Sequence, residues 1–171
     1  RSDVESRIKG IDKGADAYIS KPYDAQLLKS HVFNLLENRR MLKKKFSGYG
    51  LEHENLSLSN SNTSFIEKVN SIIDKNLAKE EFNISSLAKE LGMSSRQVHR
   101  KFKGLMEKSA AEYVRTYKLN QAAKLLLSNR SLSISEIAYN FGYKHNSHFA
   151  TSFKKHFGKS PSEFIMENSK Q

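Results

Sequence analysis

Two stretches of this chain carry the same short pattern, and whatever fold it takes must accommodate that pattern twice. The first runs Ile84-Ser85-Ser86-Leu87-Ala88-Lys89-Glu90-Leu91-Gly92 and on to Phe102-Lys103. The second runs Ile134-Ser135-Glu136-Ile137-Ala138-Tyr139-Asn140-Phe141-Gly142 and on to Phe153-Lys154. Leu87-Ala88 and Gly92 map onto Ile137-Ala138 and Gly142 fifty residues later, whereas Phe102-Lys103 maps onto Phe153-Lys154 at fifty-one. Each copy reads as a short helix, a tight turn at glycine and a longer helix. Ala88 and Ala138 leave room for a closely crossing neighbour. Gly92 and Gly142 stand where a left-handed backbone conformation costs glycine least.

The longer helix of each copy has two unlike faces. At 3.6 residues per turn, Val98, Phe102 and Leu105 form one apolar seam, and Arg96, Arg100 and Lys103 fall opposite it with His99 on the shoulder. Ser94 and Gln97 have the spacing of a capping box at its start. In the second copy Phe149 and Phe153 make the seam with Phe157 beside it, while Ser147, Thr151, Lys154 and Lys155 point away and Asn146 and His148 flank the N-terminal end. An arginine reads guanine through two parallel hydrogen bonds in the major groove of DNA, so the first face suits base recognition. The second is smaller and more polar, and suits phosphate contact more than base readout.

Charge agrees with a polyanionic partner. The 171 residues carry a formal +11, with 11 basic and 8 acidic side chains in residues 1–63 and 18 and 10 in residues 64–171, so the excess lies with the repeats. That balance favours double-stranded DNA first, RNA second and acidic lipid third. The 37% apolar share predicts small cores and polar helix surfaces. With no cysteine, disulfides, thiol catalysis and thiolate metal sites are excluded, and a reducing cytoplasm fits. No run approaches the roughly 20 apolar residues that cross a bilayer, and no signal-peptide core is present. A cytoplasmic segment without membrane contact of its own is expected, compatible with a longer parent anchored in an inner membrane.

Catalytic alternatives find little support. Of His145, His148 and His156, only the first two are closely spaced and no carboxylate joins them, so no metal site is expected. Ser147 and His148 adjoin without an orienting acid, and no nucleophile–base–acid set emerges, so neither an enzyme nor a cofactor is expected.

Elsewhere, residues 3–13 read as the tail of a helix, and Ala17-Tyr18-Ile19-Ser20 as a short strand ended by Lys21-Pro22. A helix begins near Asp24, with Leu27, Leu28, Val32, Leu35 and Leu36 at helical spacing. Residues 47–63, rich in serine and asparagine, read as a linker. From Ser64 the chain is helical: an amphipathic helix through Leu77, the first motif at 84–107, a joining helix at 112–127, the second motif at 135–157, and a short helix opened by Pro161.

Residues 64–165 resemble the AraC-family DNA-binding domain, on Ile137-Ala138, Gly142-Tyr143, Ser147-His148-Phe149, Phe153-Lys154-Lys155, Gly158 and Ser160-Pro161. The resemblance implies two helix-turn-helix subdomains joined by a long helix, entering successive major grooves about 34 Å apart. It assigns base reading to Arg96, His99, Arg100, Asn146, Ser147 and Thr151. Backbone contacts would come from Ser94, Ser95, Gln97, Lys103, His148, Lys154 and Lys155. Lys118 departs from the pattern, standing where the family usually has arginine. Residues 14–23 resemble the last strand and turn of a response-regulator receiver domain, with Lys21 at the phosphate-contacting lysine, Tyr18 at the switching aromatic and a cis bond before Pro22. The predicted fold class is therefore all-α, with an N-terminal α/β receiver remnant over residues 1–46. The two resemblances together imply the output module of a two-component phosphorelay, found in response regulators and hybrid sensor kinases and leaning toward activation. Its sites would be direct repeats or asymmetric, with RNA polymerase a further partner and a homodimer formed through residues 1–46. The alternative is an interaction module in which the helix from Asp24 drives self-association.

Overall fold

The structure, a computed structural model, describes residues 24–47, 60–106, 108–129 and 131–168, together with 19, 21 and 22. Eight α-helices follow in order: α1 (Ala25–Ser47), α2 (Asn60–Lys75), α3 (Ile84–Leu91), α4 (Ser95–Met106), α5 (Ala110–Ser128), α6 (Ile134–Asn140), α7 (Asn146–Phe157) and α8 (Pro161–Asn168).

Among the described residues there is no strand, which corrects the expected α/β remnant. Ile19 is irregular, Lys21 and Pro22 form a bend with a cis bond between them, and the chain then enters α1. A strand needs a neighbour to satisfy its backbone donors and acceptors, and an all-helical surrounding offers none. Ala17, Tyr18 and Ser20 lie outside the described residues, as do the apolar positions of 3–13 and residues 48–59 of the expected linker. The ends of that linker are helical instead: α1 runs to Ser47 and α2 starts at Asn60 rather than at Ser64.

The helices pack around two apolar clusters. The first gathers Phe65, Ile66, Val69 and Ile73 of α2, Leu87 and Ala88 of α3, Val98, Phe102 and Leu105 of α4, and Tyr113 and Val114 of α5. The second gathers Leu119, Ala122 and Leu126 of α5, Ile137 and Ala138 of α6, and Phe149, Phe153 and Phe157 of α7. Helix α5 contributes its first half to one cluster and its second half to the other, beginning at Ala110 rather than Glu112. Leu77, just beyond α2, packs against both.

Local chemistry sets the helix ends. Asn83 caps α3 by accepting from the Ser86 amide, and Ser109 caps α5 through the Glu112 amide. Three reciprocal pairs close capping boxes: Ser94 with Gln97, Ser133 with Glu136, and Ser160 with Glu163. Hydrogen bonds from Ser133 hold the Glu136 carboxyl below its ordinary range. Helices α3 and α7 end on a glycine in the left-handed region, Gly92 at φ 67° and Gly158 at φ 77°. Helix α6 ends at Phe141, followed by Gly142 at φ 79°.

Candidate nucleic-acid interface

Each glycine turn aims the next helix. After Gly92, Ser94 caps α4; after Gly142, one residue more passes before His145 caps α7, without a side-chain bond. That extra residue accounts for the change of offset between the repeats. Both longer helices then turn an aromatic seam inward. Phe102 meets Phe65 edge-on with ring centres 5.7 Å apart and Tyr113 at 5.1 Å. Phe153 lies among Phe149, Phe157 and Phe164 at 5.5, 4.3 and 5.4 Å. Burying such rings stabilises each helix by about 1.5–3 kcal/mol per side chain and fixes which face is left outside.

On α4 the outward side chains are Arg96, His99, Arg100 and Lys103, all exposed, with Ser95 and Gln97 half-buried. On α7 they are Asn146, Ser147, His148, Thr151, Lys154 and Lys155, all exposed. The structure therefore gathers the sequence-predicted residues on two helix faces. Some of them also take part in local hydrogen bonds. Ser94 and Gln97 hold each other in the cap, at 2.8 and 3.2 Å. Asn146 donates to Ser135 Oγ at 3.0 Å, tying the start of α7 to α6. Lys21 is exposed at the bend before α1, and Tyr18 lies outside the described residues.

Helix α5 is the beam behind both faces. Tyr113 donates to Asn70 at 2.8 Å and Tyr117 to the Asp74 carboxylate at 3.0 and 3.1 Å, fastening α5 to α2. Burial, reinforced by Asp74, pushes the Tyr117 phenol up to about 12. His156 of α7 pairs with Asn120 of α5 at 2.9 Å; burial lowers its basicity, and Lys108 and Arg115 lower it further.

Sequence reasoning did not foresee that α1 would pack against α4. Arg39 Nη2 donates to the Lys103 carbonyl at 3.1 Å, at the C-terminal end of α4 where a cation is electrostatically favoured, and Met41 packs on the first cluster. The N-terminal part of α1 is bare, with Leu27, Val32, Phe33 and Leu36 roughly half exposed or more. Among the described residues no three His, Cys, Asp or Glu side chains are grouped to hold a metal ion. No described helix is long and apolar enough to cross a membrane.

Two helix pairs turned at glycine, each presenting a polar or cationic outer face, define a helix-turn-helix DNA-binding domain. The family described as Helix-turn-helix domain matches residues 87–166. The chain is 35% identical over 85 residues to the probable transcription factor PqrA of Proteus vulgaris, covering 50% of this chain and 69% of that protein. It is 32% identical over 172 residues to histidine kinase P4 of Formosa agariphila, covering all of this chain and 12% of that protein. It therefore spans about an eighth of that kinase's length. Among solved structures, the C-terminal domain of AraT, a response regulator from Geobacillus stearothermophilus, is 28% identical with a TM-score of 0.56, covering 63% of this chain and 88% of that one. The chain belongs to the AraC-type helix-turn-helix family, and its family places this domain among DNA-binding regulators rather than enzymes.

Proposed function

We propose that the chain is a sequence-specific transcription regulator whose α4 and α7 enter neighbouring major grooves of one DNA duplex. Exposed Arg96, His99, Arg100 and Lys103 on α4, opposite the buried Val98, Phe102 and Leu105, are the observation that carries this reading. In it, Arg96, His99, Arg100, Asn146, Ser147 and Thr151 read bases. Ser94, Ser95, Gln97, Lys103, His148, Lys154 and Lys155 hold the backbone, through whatever polar atoms the caps leave to them. The DNA-binding unit is residues 64–171, with its first helix already begun at Asn60.

The finer reading is an activating output module of a phosphorelay in the cytoplasm, with RNA polymerase as a further partner. Alignment of the whole chain with part of a histidine kinase, and the likeness to a response regulator's C-terminal domain, support it. Binding of the chain to duplex DNA by fluorescence anisotropy at stepped salt tests the core of the reading. Affinity is expected to fall steeply with salt, with a log–log slope of about −0.9 per phosphate contact. Salt-independent binding, or none, contradicts it.

A second reading is favoured by the bare apolar side of α1, where Phe33 is 62% exposed. There α1 pairs with a second copy and sets two DNA-binding units on repeated sites. Sedimentation of the chain against its Phe33→Asp variant decides it: a dimer reduced to monomer supports the pairing, and a monomer in both removes it.

A further inference from the structure

Lys118 lies in the middle of α5, between the two clusters, and only 8% of its surface reaches solvent. A lysine ammonium has three donors and no acceptor. Here it faces three carbonyl oxygens: Leu77 at 2.8 Å, Lys79 at 3.3 Å and Phe141 at 3.5 Å. Leu77 and Lys79 belong to the turn after α2, in the first unit; Phe141 ends α6, in the second. One cation thus meets carbonyl oxygens of the turn after α2 and of the C-terminal cap of α6, which belong to different units. Each carbonyl oxygen carries partial negative charge, so the attraction acts on both sides.

Other contacts between the two turns are apolar, steric or exposed. Leu77 packs against both clusters. A Cβ placed on Gly142 would come within 3.1 Å of the Leu77 and Lys79 carbonyl oxygens, so the second glycine turn rests directly on the turn after α2. Lys144 pairs with Glu80 at 3.0 Å across the same seam, but both are well exposed, and such a pair contributes little. The buried ammonium is the polar tie that remains. The Lys79 carbonyl also accepts from the Phe82 amide at 3.4 Å, but without the ammonium the Leu77 and Phe141 carbonyls would need water, and water there would part the turns.

We propose that Lys118 is the positioning residue that fixes the orientation of the α3–α4 unit relative to the α6–α7 unit, and with it the spacing of half-sites that the chain accepts. This rests on the reading that both units bind one duplex. A rigid link lets the second unit bind only when its half-site lies at the right distance and rotation, whereas a loose link tolerates several spacings.

The chain has no cysteine, so spin labels at Lys89→Cys and Tyr139→Cys, one exposed site per unit, report a single distance without interference. The background with Lys118 intact is expected to give one narrow distance, Lys118→Met a broad distribution, and Lys118→Arg a narrow one again. Lys118→Gln, which keeps a polar head without charge, is expected to broaden it too and serves if the methionine variant fails to fold. A narrow distance in both uncharged variants overturns the proposal. Without labels, the chain is then tested on duplexes whose half-sites are moved by two base pairs. The unaltered chain is expected to prefer its own spacing on the order of tenfold, and Lys118→Met to lose most of that preference. If the unaltered chain distinguishes spacings and Lys118→Met does so equally, the tie fails while the two-site reading stands. If the unaltered chain is indifferent to the second half-site, the two-site reading fails and takes the spacing role with it.

Discussion

Gly92 and Gly142 hold equivalent left-handed turns, at φ 67° and 79°, yet only Gly142 is pressed against backbone from the other unit. Around Gly92 an added Cβ would meet nothing within 4 Å; at Gly142 it would meet the Leu77 and Lys79 carbonyls at 3.1 Å. The two repeats therefore use one residue for one purpose and for two. Gly92→Ala is expected to cost about 1–2 kcal/mol, the strain of a left-handed residue with a side chain. Gly142→Ala should cost clearly more, because two backbone turns must also separate. Urea midpoints of the two variants check this, and equal losses would contradict it.

Alkaline stability follows from the tyrosines beneath α5. The folded chain keeps the Tyr117 proton to about pH 12, while the ordinary phenol releases it near 10.0. Burial moves Tyr113 further in the same direction. Between those values the unfolded chain holds fewer protons, so stability is expected to fall as pH rises from about 10. Lys118, lowered by burial from 10.5, acts with the opposite sign at lower pH, so the tyrosine effect is read above that value. Urea midpoints between pH 10.5 and 12 should fall less steeply in Tyr117→Phe and Tyr113→Phe; parallel slopes in all three proteins would contradict the assignment.

Ser133 and Glu136 start α6 through a reciprocal pair at 2.7 and 3.2 Å. Ser133→Ala is expected to destabilise the fold by about 1 kcal/mol and to leave DNA affinity nearly unchanged, because the residue lies on neither reading face. Thermal melting beside anisotropy separates the two effects. A large loss of affinity with unchanged melting would move Ser133 into the interface.

How much of this was legible in the sequence depends on how local the cause was. The α3–α4 and α6–α7 pairs, the seam through Phe102 and Phe153, the glycine turns and the Ser94–Gln97 box rest on spacing within about twenty residues, and periodicity reveals such spacing. The capping boxes at Ser133 and Ser160 carried the same signal and were overlooked, Ser160 being noted only as part of the family pattern. The strand at 17–20 was expected from a four-residue run and from resemblance, but a strand depends on distant partners for its hydrogen bonds. Lys118 reads in sequence as an ordinary surface lysine; only the meeting of two turns, one 39 to 41 residues before it and one 23 residues after it, buries it. Its one sequence signal was the departure from arginine. The contact of α1 with α4 had none, since Arg39 acts through a backbone carbonyl that any residue at 103 would present.

The division of labour between α4 and α7 is open to variants that leave the fold intact. Arg96→Ala and Arg100→Ala are each expected to cost about 1–3 kcal/mol of binding and to relax preference at single base positions. Lys154→Ala and Lys155→Ala should weaken binding to all sequences alike and reduce the salt slope by about 1 each. Anisotropy on a panel of single-base variants of the preferred duplex reads both. Uniform losses from the arginines, or base-specific ones from the lysines, would reverse the roles.

The central claim is that two helix-turn-helix units grip one duplex from the same side. Methylation interference on a duplex selected by the chain from a random pool tests it most directly, because guanine N7 lies in the major groove. The expected pattern is two short interfering segments about one helical turn apart, roughly 34 Å, on one face of the DNA. Arg96→Ala should weaken one segment and leave the other. A single segment, or interference that does not depend on sequence, would contradict the account.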